Sequence, residues 1–469
     1  MNEPGAGDYR SLAEAGWAWV QAQVRDDDGP WIPVSVIPGE DPQPGSDRDG
    51  LHSGIGGLAY VLAEIRLARP WSEQERALAG AVADRLRREI DRTQDCTFFD
   101  GLPSTIGALT ALSEPGADRA VARLASLATG DGWPQAWVGP PRFVDGVRAH
   151  DLTLGTAGVL LAAIWARRHG VDGATQVAEQ AADLLVRDGE QTPTGSNWLM
   201  APRRYWADPV REMPNLSHGL AGIAAALAVA GAELGRSDLV EIARSGAEHL
   251  VTLAELGGDG FVVPLRIPPA PDREEVTYTW CHGPTGTSLL FPALERAGVE
   301  KLAGAGPRSW QRRCLTSVRG SGLPARLRPG FWDNDGQCCG TAGVGSVFLD
   351  AWQRGRDDAD RQFAVQLGDA LIERAVHDGP HAYWRFVEHR AVEPLLPPGV
   401  GWMQGAAGIC AFLFRLDRLL DEGPDAEVVA RMDTWWALPI ADQGQREPDQ
   451  PAACPVAAAP LRGTGHPYR

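Results

Sequence analysis

Two short stretches carry residue types suited to metal chemistry: Gly336-Gln337-Cys338-Cys339-Gly340-Thr341-Ala342-Gly343 and, upstream, Trp280-Cys281-His282-Gly283-Pro284-Thr285-Gly286. Neighbouring cysteines close on each other only through a strained eight-membered ring, so Cys338 and Cys339 ask for a different partner. A soft divalent metal is the natural one. Zinc takes tetrahedral thiolate and imidazole ligands, and a catalytic site supplies three of them while the fourth position stays open. Cys281, Cys338 and Cys339 are expected to form such a set, with His282 as an alternative ligand in place of one cysteine.

These residues recur at a fixed place in a repeat. A Gly-x-x-Gly motif or a near relative appears seven times, as Gly54 to Gly57, Ser104 to Gly107, Gly155 to Gly158, Gly219 to Gly222, Gly283 to Gly286, Gly340 to Gly343 and Gly405 to Gly408. Polar and thiol side chains precede the third to sixth copies by one to five positions: His150-Asp151, Ser217-His218, Cys281-His282 and Cys338-Cys339. If the repeats stack, those side chains converge on one end of one structure. No Gly-Lys-Ser/Thr follows any copy, so the motifs are not phosphate cradles.

The elements that must position them alternate in character. Amphipathic, charged stretches such as Ala174 to Arg187 and Asp238 to Leu256 alternate with small, aliphatic ones such as Val159 to Trp165 and Ile223 to Leu227. The second kind is apolar on every side and is expected to be a helix buried all round; the first is expected on the outside. Glycine at each junction is expected to supply a positive φ and to let neighbouring inner helices approach closely. Stacked hairpins of this kind form an open solenoid or a closed ring. The absence of an evident capping sequence favours the ring, so the fold expected is all-α, a closed (α/α) toroid of about seven helical hairpins over residues 51–440. Residues 1–50 are expected as an extension and loop, with Pro38 to Asp49 mobile, and 441–469 as a disordered Pro/Ala-rich tail. Strand-like segments at Trp31 to Ile37 and Gly260 to Pro268 read as local elaborations over the ring.

Composition narrows the function. The 469 residues carry a formal charge of −17, which argues against nucleic acid as a partner, since phosphate binding needs clustered Lys and Arg. Seven scattered cysteines, an odd number, do not make a disulfide framework and fit a reducing cytoplasm. No signal peptide is evident, and no apolar run approaches the ~20 residues of a membrane span. Cys96, Cys314, Cys410 and Cys454 are expected to be structural or incidental.

The seven glycine repeats, taken with the Ser-His-Gly, Trp-Cys-His-Gly and Cys-Cys-Gly segments, make the chain from about Leu51 to Leu420 resemble the lanthionine synthetase C-like proteins, the lanthipeptide cyclases. The resemblance implies a double α-barrel and a Zn2+ ion held by a Cys of the fifth repeat and a Cys-His pair of the sixth. Cys338-Cys339 replaces that pair here, so the site becomes Zn(Cys)₃ with one net negative charge, which favours thiolate nucleophilicity. The implied reaction is a Michael-type addition of a peptide cysteine thiol to dehydroalanine or dehydrobutyrine, forming a thioether ring. By the same resemblance His218 is the general acid that protonates the enolate, and Asp151 assists or orients it. The family's arginine before the first zinc cysteine has no counterpart: Val276-Thr277-Tyr278-Thr279 fills that place and Arg273 lies further upstream. The partners implied are a dehydrated precursor peptide and a separate dehydratase or kinase/lyase protein. Two other readings stand beside this one, addition of an external thiol such as glutathione and a non-catalytic peptide-binding component of a biosynthetic complex.

Overall fold

A computed structural model describes residues 8–270, 274–325, 334–387 and 395–439. Seven inner helices follow the glycine motifs: α2 (Gly56–Ala68), α4 (Leu102–Leu112), α6 (Thr156–Arg168), α8 (Leu220–Leu234), α11 (Leu290–Arg296) behind the single-turn α10 (Pro284–Thr287), α13 (Thr341–Gly355) and α15 (Ala406–Glu422). Seven outer helices complete them: α1 (Asp8–Gln23), α3 (Glu73–Glu89), α5 (Ala117–Leu127), α7 (Ala174–Arg187), α9 (Ser237–Leu253), α12 (Pro307–Arg319) and α14 (Asp358–Arg374). The pattern decides which is which. Every residue of α8 from Leu220 to Gly231 is buried, whereas α9 buries only one face, as a helix apolar all round and an amphipathic one must. The fifth inner helix breaks at Ser288 and Leu289 because Pro292 has no amide to donate to the Ser288 carbonyl.

Each inner helix packs on the next and on the outer helix that follows it, and α15 packs back on α2. The result is a closed (α/α) toroid. Its last hairpin is completed from the other end of the chain: α15 has α1 as its outer helix. Trp17 of α1 is 1 % exposed and donates its indole N–H to Glu75 at 2.8 Å, and Arg10 pairs with Asp417 at 3.0 Å. The segment before residue 51, read from sequence as an extension, thus supplies an element of the ring. Buried ion pairs Arg418–Glu64 (2.8 Å) and Arg415–Asp350 (2.6 Å) tie α15 to α2 and α13.

Connections from inner to outer helices are mostly short, and those from outer to inner helices are long and gathered at the end where the inner helices start. Among the described residues four small antiparallel hairpins pair 25–26 with 30–31, 190–192 with 195–197, 376–378 with 381–383, and 386–387 with 395–396. The strand-like 31–37 and 260–268 stretches form bridges to neighbouring loops, Ser35 with Gly399 and Glu212 with Ile267. The 38–49 insert, expected to be mobile, is tied at its far end: Arg48 donates to three carbonyls of residues 27–30, and Asp49 pairs with Arg85 at 3.1 Å. Beyond α15, Met432, Trp435 and Trp436 are buried, with the Trp436 indole donating to the Leu289 carbonyl. The expected tail at 441–469 lies outside the described residues.

The glycines work differently from expectation. None of the glycines that open an inner helix has a positive φ; Gly155, Gly283 and Gly405 are extended at −132°, −117° and −134°. The requirement is room for the loop itself. A Cβ on Gly286 would lie 1.7 Å from the Trp280 carbonyl oxygen, on Gly222 1.9 Å from that of Leu216, and on Gly343 1.8 Å from that of Gln337. Each loop therefore doubles back over the first turn of its own helix. That geometry also moves the second copy three residues upstream, to Gly101–Ser104: Gly101 caps α4 and abuts the Asp95 carbonyl, and Ser104 Oγ accepts the Leu51 amide at 2.9 Å.

Candidate metal centre

A belt of backbone hydrogen bonds joins the seven loops. The amide of Thr153 donates to the Ser217 carbonyl, Ser217 to Cys281, Cys281 to Cys338, Cys338 to Met403, Met403 to His52, His52 to Phe99, and Phe98 to Thr153, at 2.9 to 3.3 Å. The circuit closes on itself and runs in one sense, each repeat donating to the next. Counted from the glycine that opens each motif (Gly54, Gly101, Gly155, Gly219, Gly283, Gly340 and Gly405), belt residues are the second before it, apart from Phe98, the third before Gly101. This register is what makes sequence-distant side chains neighbours.

Three of the expected site residues meet there as sulfurs. Cys281 Sγ is 3.4 Å from Cys339 Sγ, which is 3.3 Å from Cys338 Sγ, and all three lie within 4.8 Å of one another. All three are free thiols. Tetrahedral ligands at about 2.3 Å from zinc stand about 3.8 Å apart, so this donor set fits the ion that its chemistry asks for. His282 is not one of the three converging donors, but its side chain hydrogen-bonds Cys281. Its ring lies beside that of His218, centroids 5.3 Å apart. Among the described residues no other cluster of His, Cys, Asp and Glu converges in this way.

The electrostatics single out one sulfur. Burial raises the Cys281 thiol, but hydrogen bonds from Cys338 and Cys339 and the charge of His282 outweigh it and hold its pKa well below the ordinary value. The hydrogen bond to Cys281 in turn pushes Cys338 and Cys339 well above theirs. Thr279 Oγ1, 3.2 Å from Cys281 Sγ and also bonded by the His282 amide, supports the same atom. Sequence reading did not single out Thr279. The signal was its position four before the capping glycine, which is also where Asp151 stands.

Asp151 and His218 form the second constellation. Asp151 is fully buried; one carboxylate oxygen accepts the Leu154 amide at 2.8 Å, and the other lies 2.5 Å from His218 Nδ1. Burial pulls the His218 imidazole down, but the hydrogen bond and charge of Asp151 prevail and its pKa stands above the ordinary value. The His218 side chain is 22 % exposed, so it reaches open space with its Nδ1 face anchored. His150 is turned elsewhere, its Nε2 3.2 Å from Asp188. His52 bonds Ser53 Oγ at 2.8 Å, and burial lowers its pKa. Cys96, Cys314 and Cys410 are buried away from the cluster; Arg273 and Cys454 lie outside the described residues.

No helix of the described residues is long and apolar enough to cross a membrane. Among solved structures the chain is similar to nisin cyclase, at 12 % identity over 92 % of this chain and 98 % of that one, with a TM-score of 0.56. It is similar also to the Lin0763 protein from Listeria innocua (12 % identity, 88 % and 98 % covered, TM-score 0.50) and to the family 76 mannosidase Bt3792 from Bacteroides thetaiotaomicron (13 %, 89 % and 99 %, 0.50). At these identities the likeness is one of fold. None of the curated proteins compared matches the chain. The family model described as lanthionine synthetase C-like protein matches residues 45–421, across all seven repeats, and the chain belongs to that family.

Proposed function

We propose that the protein is a zinc-dependent lanthipeptide cyclase, adding peptide cysteine thiols to dehydroalanine or dehydrobutyrine. The observation that carries this reading is the meeting of three sulfurs within 4.8 Å in a belt that also presents the Asp151–His218 pair. Membership of the family and likeness in fold to nisin cyclase support it. Cys281, Cys338 and Cys339 would hold the ion, and zinc so bound lowers the pKa of a thiol in its open position.

The remaining work falls to the chain. Asp151 accepts the Nδ1–H hydrogen bond of His218 and stabilises the imidazolium, so the Nε2 proton is the one left for transfer. The substrate sulfur forms a bond to the β-carbon, the carbon–carbon double bond becomes an enolate, and His218 delivers a proton to the α-carbon. Atoms balance: one thiol hydrogen is redistributed and peptide mass is unchanged. The dehydrated precursor would come from a separate dehydratase or kinase/lyase, in a reducing cytoplasm that keeps these thiols free.

The test is to incubate the purified protein and zinc with a dehydrated, cysteine-containing peptide. Loss of free thiol at constant mass supports cyclisation. A mass gain equal to an added thiol such as glutathione supports the external-thiol reaction instead, and binding without loss of thiol leaves a peptide-binding component.

A further inference from the structure

The cysteines and His218 occupy the loops of repeats four to six, and the belt continues beyond them. The Cys338 amide donates to the Met403 carbonyl at 2.9 Å, and the Met403 amide to the His52 carbonyl at 3.0 Å. Two hydrogen-bonded steps therefore lead from a sulfur ligand to His52. There, a cavity of about 210 Å³ is lined by polar His52, Ser53 and Gln404 and by apolar Val34, Phe386 and Leu396. The 34–36 and 398–400 segments that border it are tied together: the Val36 amide donates to the Pro398 carbonyl at 3.0 Å and the Val400 amide to that of Val34 at 3.2 Å. Val34 and Ile37 nonetheless hold large apolar side chains 55 % and 39 % exposed at this edge. A cavity this size is below the ~300 Å³ that a whole small-molecule ligand requires, and it matches a single side chain.

We propose that this cavity is a specificity pocket for one apolar side chain of the peptide substrate, borne by a residue adjoining the reacting cysteine–dehydroamino acid pair. The proposal rests on the peptide reading of the site. Continuity chooses the occupant: a peptide whose sulfur sits over Cys281, Cys338 and Cys339 lies within a residue or two of His52 and Gln404. The polar lining residues then serve its main chain and the apolar ones its side chain.

Kinetics with defined peptides test this. Peptides containing dehydroalanine and cysteine are compared with Ala or Leu at the residue before the dehydroalanine, and again at the residue after the cysteine. At one of these positions Leu lowers KM about tenfold or more, the effect of burying one such side chain, with kcat little changed. Ser35→Phe, which fills the cavity from the 34–36 segment, removes that advantage while zinc content stays as in the parent. Leu396→Ala, which enlarges it, shifts the preference toward Trp. Equal KM for Ala and Leu at both positions, or a Leu advantage that survives Ser35→Phe, overturns the pocket. Binding of the same peptides with cysteine replaced by serine is read by fluorescence anisotropy. A Leu preference there that Ser35→Phe abolishes supports the pocket even where no ring forms, which separates its failure from failure of the cyclase reading.

Discussion

Asp151 Oδ2 and His218 Nδ1 lie 2.5 Å apart, joined across 67 residues of chain and two consecutive repeats. The contact fixes which imidazole nitrogen faces the open side, and it raises the pKa of His218 against the pull of burial. A protonated His218 is the acid, so its contribution is present at low pH and lost as pH rises through the raised pKa. Asp151→Asn leaves burial opposed only by the charge of Cys281, and the falling limb of the kcat profile should move to lower pH; His218→Ala should cost about 10²- to 10⁴-fold in kcat below that pKa and progressively less above it. Rate–pH profiles of the three proteins check both.

Metal content provides a direct reading of the sulfur cluster. Parent protein should carry about one zinc per chain, and Cys281→Ser, which removes the thiol whose pKa is held lowest, should lose it. Cys339→His substitutes one zinc-binding side chain for another and should retain the ion. Elemental analysis after gel filtration measures all three, and chelation of the parent should lower its Tm, since an ion that binds the folded chain stabilises it.

Glycines at the helix starts should be intolerant of a single methyl group. Gly286→Ala forces a Cβ to within 1.7 Å of the Trp280 carbonyl and should cost about 3 kcal/mol by overpacking. Gly80→Ala, in α3 with nothing within 4 Å, should stabilise by about 0.5–1 kcal/mol, because alanine loses less backbone freedom in a helix. Urea unfolding of the two variants gives the contrast.

Closure through α1 predicts that a residue near the start of the chain is worth as much as any in the core. Trp17→Ala empties a buried site and orphans a bond to Glu75, so it should cost about 3–5 kcal/mol. Thermal unfolding would show a single transition at lower temperature.

The alternation of charged and apolar stretches made the inner and outer helices legible in the sequence, since burial on all sides leaves no room for charge. The offset of Cys281, Cys338, Cys339, His218 and Asp151 from their glycines made the site legible too, because a repeated offset becomes a shared location. Three things were hidden. The belt is made of main-chain groups, which every residue carries, so no side chain announces it. The second repeat has Ser104 where the others have glycine, which displaced the motif by three residues. The partnership of α1 with α15 spans nearly the whole chain, and an amphipathic helix does not declare which neighbour it will cover.

That partnership makes the polypeptide a circle interrupted at one place. Since Asp8 of α1 and Glu422 of α15 belong to the same hairpin, new ends could be opened instead at the short Leu234–Ser237 turn, with the old ones spliced by a linker routed past residues 423–439. Such a permuted chain should reach the same architecture, with its sulfur cluster assembled from segments read in a different order.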